Sequence, residues 1–200
     1  MLIAVRHGIT VFNDNGGKGG APAEKFRGWL PIPLTLEGMA TSRTTAETLS
    51  DMDKVATLYS SDVVRAIQSA HEIARTLSME IEPVMELRDW NLGDYVGQEV
   101  ELVLEEVLEH IDTPNKVVKG GESYQTFLDR AVPFLKELVE SNSLYIAVTH
   151  ARVFGLLKAL SITGGEEPDP ETLRKKAPVK PSGIMIISKK WKILGMIGKE

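Results

Sequence analysis

Leu2-Ile3-Ala4-Val5-Arg6-His7-Gly8-Ile9-Thr10-Val11-Phe12-Asn13 is the stretch on which the fold turns. Four apolar residues lead without a spacer into a cation, an imidazole and a glycine, with two small polar hydrogen-bonders, Thr10 and Asn13, close behind. A short apolar run bounded by polar residues predicts a buried β-strand. In open α/β sheets ligands gather outside the carboxyl ends of strands. Arg6-His7-Gly8 at such an end predicts an anion pocket holding a nucleophile, with Gly8 allowing close backbone approach. Taken alone, the tripeptide is equally compatible with a surface turn.

Working outward, further apolar runs at residues 55–59, 144–149 and 184–188 read as strands. Between them, apolar residues at three-to-four spacing over residues 36–49, 63–77, 100–111, 124–139 and 153–160 read as helices. Strands alternating with helices predict one three-layer α/β domain over residues 1–200, with a mostly parallel sheet flanked by helices on both faces. Residues 184–197, split by Lys189-Lys190, predict a C-terminal hairpin. Residues 13–24 carry four glycines and a proline and read as a surface loop, a candidate lid or subunit contact compatible with a homodimer. Deleting that loop is expected to change substrate preference more than stability. Residues 163–181, with four prolines, read as a second loop with one helical turn at residues 170–175.

Composition narrows the function. With 42% hydrophobic residues in 200, the chain can bury a sizeable core. It lacks cysteine, which excludes disulfides and thiolate metal sites. No window approaches the roughly 18 apolar residues of a membrane span, and no signal-peptide pattern opens the chain, so a cytoplasmic protein without membrane contact is expected. The net charge of -5 argues against nucleic acid. Arg174-Lys175-Lys176 and Lys189-Lys190 read as solvated turns or helix ends. An anionic substrate must then be drawn by a few arginines focused in a cleft.

Two more motifs sit at strand ends. Tyr59-Ser60-Ser61-Asp62-Val63-Val64-Arg65 places Arg65 in the first turn of a helix, and Thr149-His150-Ala151-Arg152 follows the strand at residues 144–149. Arg6, His7, Arg65 and His150 are therefore expected to converge from three strand ends. His71 and His110 read as structural or solvated helix residues, and Trp191 as packing. Trp29 and Trp90, each beside a motif, are candidates to wall the site.

Arg6-His7-Gly8 with Thr10 and Asn13, Phe26-Arg27-Gly28-Trp29 leading to Pro33-Leu34-Thr35 and Gly38, Ser60-Ser61 with Arg65-Ala66, Gly120-Gly121-Glu122-Ser123 with Arg130, and Thr149-His150 resemble the histidine phosphatase superfamily in its phosphoglycerate mutase-like branch. The likeness runs through nearly the whole chain in the family's order. It implies attack on phosphorus by His7 and a transient phosphohistidine, without metal or other cofactor. Arg6 and Arg65 would hold the non-bridging oxygens with their planar forks, and His150 would add a hydrogen bond. Asn13 and the Ala151 backbone would complete the cradle, and Thr10, Arg27 and Gly28 would join in substrate binding.

Leu87-Arg88-Asp89-Trp90-Asn91-Leu92-Gly93 supplies Asp89 as the general acid, with Glu86, Asp94 and Glu122 as fallbacks. Relatives commonly carry a glutamate there, so Asp89 departs from the pattern, as do Pro31, Leu92 and Ala151. The stretch after the acid lacks the lysine expected of bisphosphate-primed mutases and carries Glu99, Glu101, Glu105, Glu106 and Glu109 instead. It is expected to repel a second phosphate, which favours a phosphoric monoester hydrolase acting on a small phosphorylated substrate. Mutase-type phosphoryl transfer, a phosphohistidine protein phosphatase and an inactive phospho-ligand binding module remain as alternatives.

Overall fold

The computed structural model describes residues 1–13, 23–52, 54–175 and 179–199. Most of the glycine-rich stretch, residues 14–22, lies outside the described residues, and so does the reading of it as a lid or subunit contact. A six-stranded sheet runs β3-β2-β4-β1-β5-β6. Its strands are β1 (Leu2–Arg6), β2 (Val55–Ser61), β3 (Ile81–Val84), β4 (Leu144–Thr149), β5 (Val179–Ile187) and β6 (Ile193–Lys199). The pairings β2–β3, β2–β4 and β1–β4 are parallel, whereas β5 meets β1 and β6 antiparallel, closing the sheet with the expected hairpin.

The helices are α1 (Leu36–Thr48), α2 (Val64–Leu77), α3 (Val100–Asp112), α4 (Tyr124–Glu140), α5 (Ala151–Thr163) and α6 (Pro170–Arg174). Because successive strand residues face opposite sides, Leu2 and Ala4 of β1 join one core with α3, α4, α5 and α6, while Ile3 and Val5 join another with α1 and α2. The sheet is therefore buried on both faces, which explains why its central strands read as unbroken apolar runs. Among the described residues no helix is long and apolar enough to cross a membrane.

Two elements differ from the sequence expectation. β3 is a four-residue edge strand containing Pro83, tolerated because the edge leaves one side of its backbone unpaired. β5 begins at Val179, inside the stretch expected to be loop; Ser182 at φ 62° and a register shift between Val179 and Ile184 carry it past Pro181 as a bulge. The helical turn expected near residue 170 is α6, capped by the Asp169 side chain accepting from the Thr172 amide.

Candidate active site

Parallel pairing brings the carboxyl ends of β1, β2 and β4 to one edge. β1 ends on Arg6, β2 leads through Asp62 and Val63 into α2 and Arg65, and β4 runs through His150, the N-cap of α5, into Ala151. The His7 amide donates to the Thr149 carbonyl at 3.0 Å, fastening the first and third of these ends. The His7 and His150 rings stand 5.1 Å apart between centroids, and Arg65 Nε lies 3.3 Å from His7 Nε2. Exposure is 5% for Arg6, 1% for His7 and 0% for Arg65 and His150.

His7 Nδ1 lies 2.8 Å from the Gly8 carbonyl oxygen. A carbonyl only accepts, so Nδ1 carries the proton and Nε2 holds the lone pair. Burial, reinforced by the charges of Arg65, Arg27 and Arg6, holds the imidazole well below its ordinary pKa of 6.5, against the pull of the Gly8 carbonyl. His150 is lowered in the same direction by burial, Arg65 and His7. Its Nε2 meets Ser61 Oγ at 2.8 Å, while its buried Nδ1 has no partner among the described residues.

The arginines are held differently from the expected open forks. Arg65 Nη1 donates to the Leu30 carbonyl at 3.0 Å and Nη2 to the Gly28 carbonyl at 2.7 Å, aiming Nε at His7. Burial lowers Arg65 to about 10, opposed by Asp89, so it stays charged near neutral pH. Arg6 Nη1 donates to the Val179 carbonyl at 2.5 Å. Backbone carbonyls thus fix the orientation of both guanidinium groups before any ligand arrives, which leaves less of each fork for an anion than the sequence suggests.

Arg6, Arg27, Gly28, Asp89 and Ala151 line a cavity of about 200 Å³ beside this cluster. Arg27 is held by Glu24 at 2.9 Å and by the Phe12 carbonyl at 3.0 Å. Gly28 sits at φ +45°, where an added Cβ would fall 2.7 Å from Val96 Cγ2. Thr10 and Asn13 are buried but absent from the cavity wall; Asn13 Oδ1 accepts from the Thr10 amide at 2.8 Å and its hydroxyl at 3.0 Å. These two hydrogen bonds tie down the turn that follows His7.

Asp89 is carried by an irregular segment with two anchors that the sequence reading missed. Its carbonyl accepts from Trp29 Nε1 at 2.7 Å and Arg130 Nη2 at 2.8 Å, and its Oδ1 accepts from the Trp90 amide at 3.0 Å. Arg130 also reaches the Met85 and Arg88 carbonyls and pairs with Glu122 at 2.8 Å. Glu122 is therefore part of the support, Asp94 pairs with exposed Lys119, and none of the fallback carboxylates lines the cavity. Trp90 walls the cavity as expected, but Trp29 instead lies beneath the Arg88 guanidinium, 4.5 Å from its ring centroid. His71 is exposed; His110 is buried, its Nδ1 meeting the Lys116 carbonyl. Trp191 is buried in the final hairpin, as expected of a packing residue.

α3 corrects a further expectation. Its Val100 and Leu104 line the cavity, whereas Glu101, Glu105, Glu106 and Glu109 are exposed and do not line it, and neither does Glu99, the half-buried residue that caps the helix. Amphipathic periodicity turns its acids outward, so they do not form a repelling wall against a second anion.

A buried histidine pair with arginines at the carboxyl edge of a largely parallel, helix-flanked sheet defines a phosphate-handling class of α/β domain. The chain belongs to the histidine phosphatase superfamily (branch 1), whose family model matches residues 2–177. It is 29% identical over 161 residues to "Phosphoglycerate mutase-like protein 4" of Arabidopsis thaliana, covering 76% of this chain and 66% of that protein. It is 27% identical over 168 residues to the "Metal-independent phosphoserine phosphatase" of Arabidopsis thaliana, covering 80% and 66%. With "Phosphoserine phosphatase 1" of Hydrogenobacter thermophilus the identity is 28%, over 74% of this chain and 70% of that one. The chain thus spans about two thirds of the length of the curated relatives it matches. The fold is shared with phosphoglycerate mutase from Thermus thermophilus, at TM-score 0.69 and 24% identity, covering 100% and 99% of the two chains. It is also shared with mycobacterial glucosyl-3-phosphoglycerate phosphatase, at TM-score 0.70 and 21% identity, covering 92% and 87%.

Proposed function

We propose that the chain hydrolyses small phosphate monoesters through a phosphohistidine formed on His7. The observation that carries this reading is the 2.8 Å contact of His7 Nδ1 with the Gly8 carbonyl. It leaves Nε2 unprotonated, and burial keeps it so. In the first step the Nε2 lone pair forms a bond to phosphorus as the ester P–O bond breaks, and Asp89 passes its proton to the departing alkoxide. In the second, Asp89 takes a proton from water, the water oxygen attacks phosphorus and the P–N bond breaks to release inorganic phosphate.

Arg65 Nε donates to the lone pair that must attack. A phosphoryl group entering between them takes over that hydrogen bond, so the ligand itself frees the nucleophile. Ser61 Oγ, 2.8 Å from His150 Nε2, can donate to it; in that tautomer the buried Nδ1 would carry a proton and give a hydrogen bond to a phosphoryl oxygen. The cavity of about 200 Å³ is smaller than the roughly 300–1,000 Å³ typical of drug-sized ligands, which favours a small alcohol as leaving group. The relatives named as phosphatases agree with hydrolysis as the outcome.

Incubation with radiolabelled phosphate monoester and an alkaline quench tests this directly. Label is expected on the wild-type chain, and His7→Ala is expected to lose label and at least about 10³-fold in p-nitrophenyl phosphate turnover. Undiminished turnover in that variant would overturn the reading.

A further inference from the structure

Asp89 and the His7 pocket are carried by different segments, and an ion pair outside the cavity wall joins the two. Asp62 directly follows β2 and stands three residues before Arg65, while Arg88 directly precedes Asp89. Neither Asp62 nor Arg88 lines the cavity. Arg88 donates to Asp62 from Nε and from Nη2, both at 2.6 Å. Such a two-point contact fixes the direction of a guanidinium as well as its distance. The hydrogen bonds from Arg88 keep the Asp62 carboxyl below its ordinary pKa, against the opposing effect of burial, so the pair stays charged near neutral pH.

Arg88 reaches the acid through Trp29. Its guanidinium carbon lies 4.5 Å from the Trp29 ring centroid, and that of Arg130 lies 5.6 Å from the same centroid. Cations at such distances over an indole are attracted by the charge distribution of the ring. The indole so held donates from Nε1 to the Asp89 carbonyl at 2.7 Å. On either side of Trp29, Gly28 and Leu30 present their carbonyls to Arg65, at 2.7 and 3.0 Å. One short turn therefore touches the backbone of the acid with its indole and the arginine of the pocket with its peptide groups. Arg130 ties the acid segment to α4, whereas Asp62 ties it to the segment that carries Arg65.

From this geometry we infer that Asp62 is a positioning residue: by holding Arg88 against Trp29, it sets where the Asp89 carboxyl meets the leaving oxygen of a phosphoryl group bound at His7 and Arg65. Proton transfer needs a heavy-atom approach of about 2.6–3.2 Å, and an aspartate has a short reach over which to correct a displaced backbone. The pair is partly exposed and adds little to folding, so its loss is expected in the proton transfer and not in stability. The inference rests on the reading of Asp89 as the acid.

Two substrates of nearly the same shape test it, phenyl phosphate and p-nitrophenyl phosphate, with inorganic phosphate as a competitive inhibitor. Phenolate is the more basic leaving group and draws more on the acid. Asp62→Asn is expected to lower kcat/KM about 10-fold on phenyl phosphate and less than about threefold on p-nitrophenyl phosphate, a fraction of the full worth of an acid. The inhibition constant of phosphate should stay within about twofold of the wild type, which shows a folded pocket. In an Asp89→Asn background, Asp62→Asn should add less than about twofold on either substrate, since residues that act through one group are not additive. Arg88→Gln should reproduce each of these results, and it carries the same test from the other side of the pair if Asp62→Asn does not fold. Equal losses on the two substrates, or a further loss on phenyl phosphate in the Asp89→Asn background, would overturn the inference. A phosphate inhibition constant raised in step with the loss of turnover would also overturn it, by assigning Asp62 to Arg65 instead. Failure of the reading beneath it would appear separately, as equal losses on the two substrates in Asp89→Asn alone.

Discussion

At the scale of single residues, the decisive group is an imidazole that stays neutral among cations. Because burial and three arginines lower its pKa, His7 should remain a nucleophile below pH 6.5. The acidic limb of kcat/KM is expected to fall below that value, and a pH–rate profile with an inflection at or above it would contradict the assignment. Asp89→Asn removes the proposed proton donor; turnover of an alkyl phosphate should drop by about 10²- to 10⁴-fold, with a much smaller loss on p-nitrophenyl phosphate, whose leaving group needs little protonation. Equal losses on both substrates would assign Asp89 to binding instead. The residue types at three strand ends were legible in the sequence because each lies within a few positions of an apolar run. The partners that orient them were not: Arg65 is aimed by the carbonyls of Gly28 and Leu30, and Asp89 by Trp29 and Arg130, all distant in the chain.

At the scale of elements, the site is held where loops cross without room for side chains. A Cβ on Gly38, in the first turn of α1, would lie 2.1 Å from the Ile9 carbonyl oxygen in the turn after β1. Gly38→Ala must therefore push α1 away from the His7 turn, at a cost of about 2–4 kcal/mol by chemical denaturation. Gly97→Ala, at φ +85° with nothing within 4 Å, meets backbone strain only and should cost about 1 kcal/mol. Arg130 on α4 clamps the backbone from Met85 to Asp89. Arg130→Met should follow the Asp89→Asn pattern, lowering kcat on alkyl phosphates more than on p-nitrophenyl phosphate. The helices were readable because their apolar periodicity is set by the surfaces they bury, as on α2 and α4. β3 and the first half of β5 were not, since Pro83, Pro181 and Gly183 mimic loop signals that an edge position and a bulge accommodate.

At the scale of the whole molecule, two cores clamp a sheet whose polar edge buries two neutral histidines. The unfolded chain takes up protons on both below about pH 6.5, whereas the native state resists them. Stability should then rise with pH up to about 6.5 and fall below it, on the order of 1 kcal/mol per pH unit for each histidine. Denaturant titrations at pH 5 and 7 should show this slope, and His150→Gln should flatten it; an unchanged slope would mean that His150 is protonated in the native state. The sequence by itself determined the layered α/β fold, the hairpin and which histidine and cations stand at the strand ends, because strand and helix periodicity and strand-end chemistry are local properties of the chain. Only the tertiary structure decided which nitrogen of His7 is free, which side of α3 faces the cavity, and which cations line that cavity. Those are set by contacts between segments far apart in sequence, where packing and desolvation select one partner among several that local spacing allows.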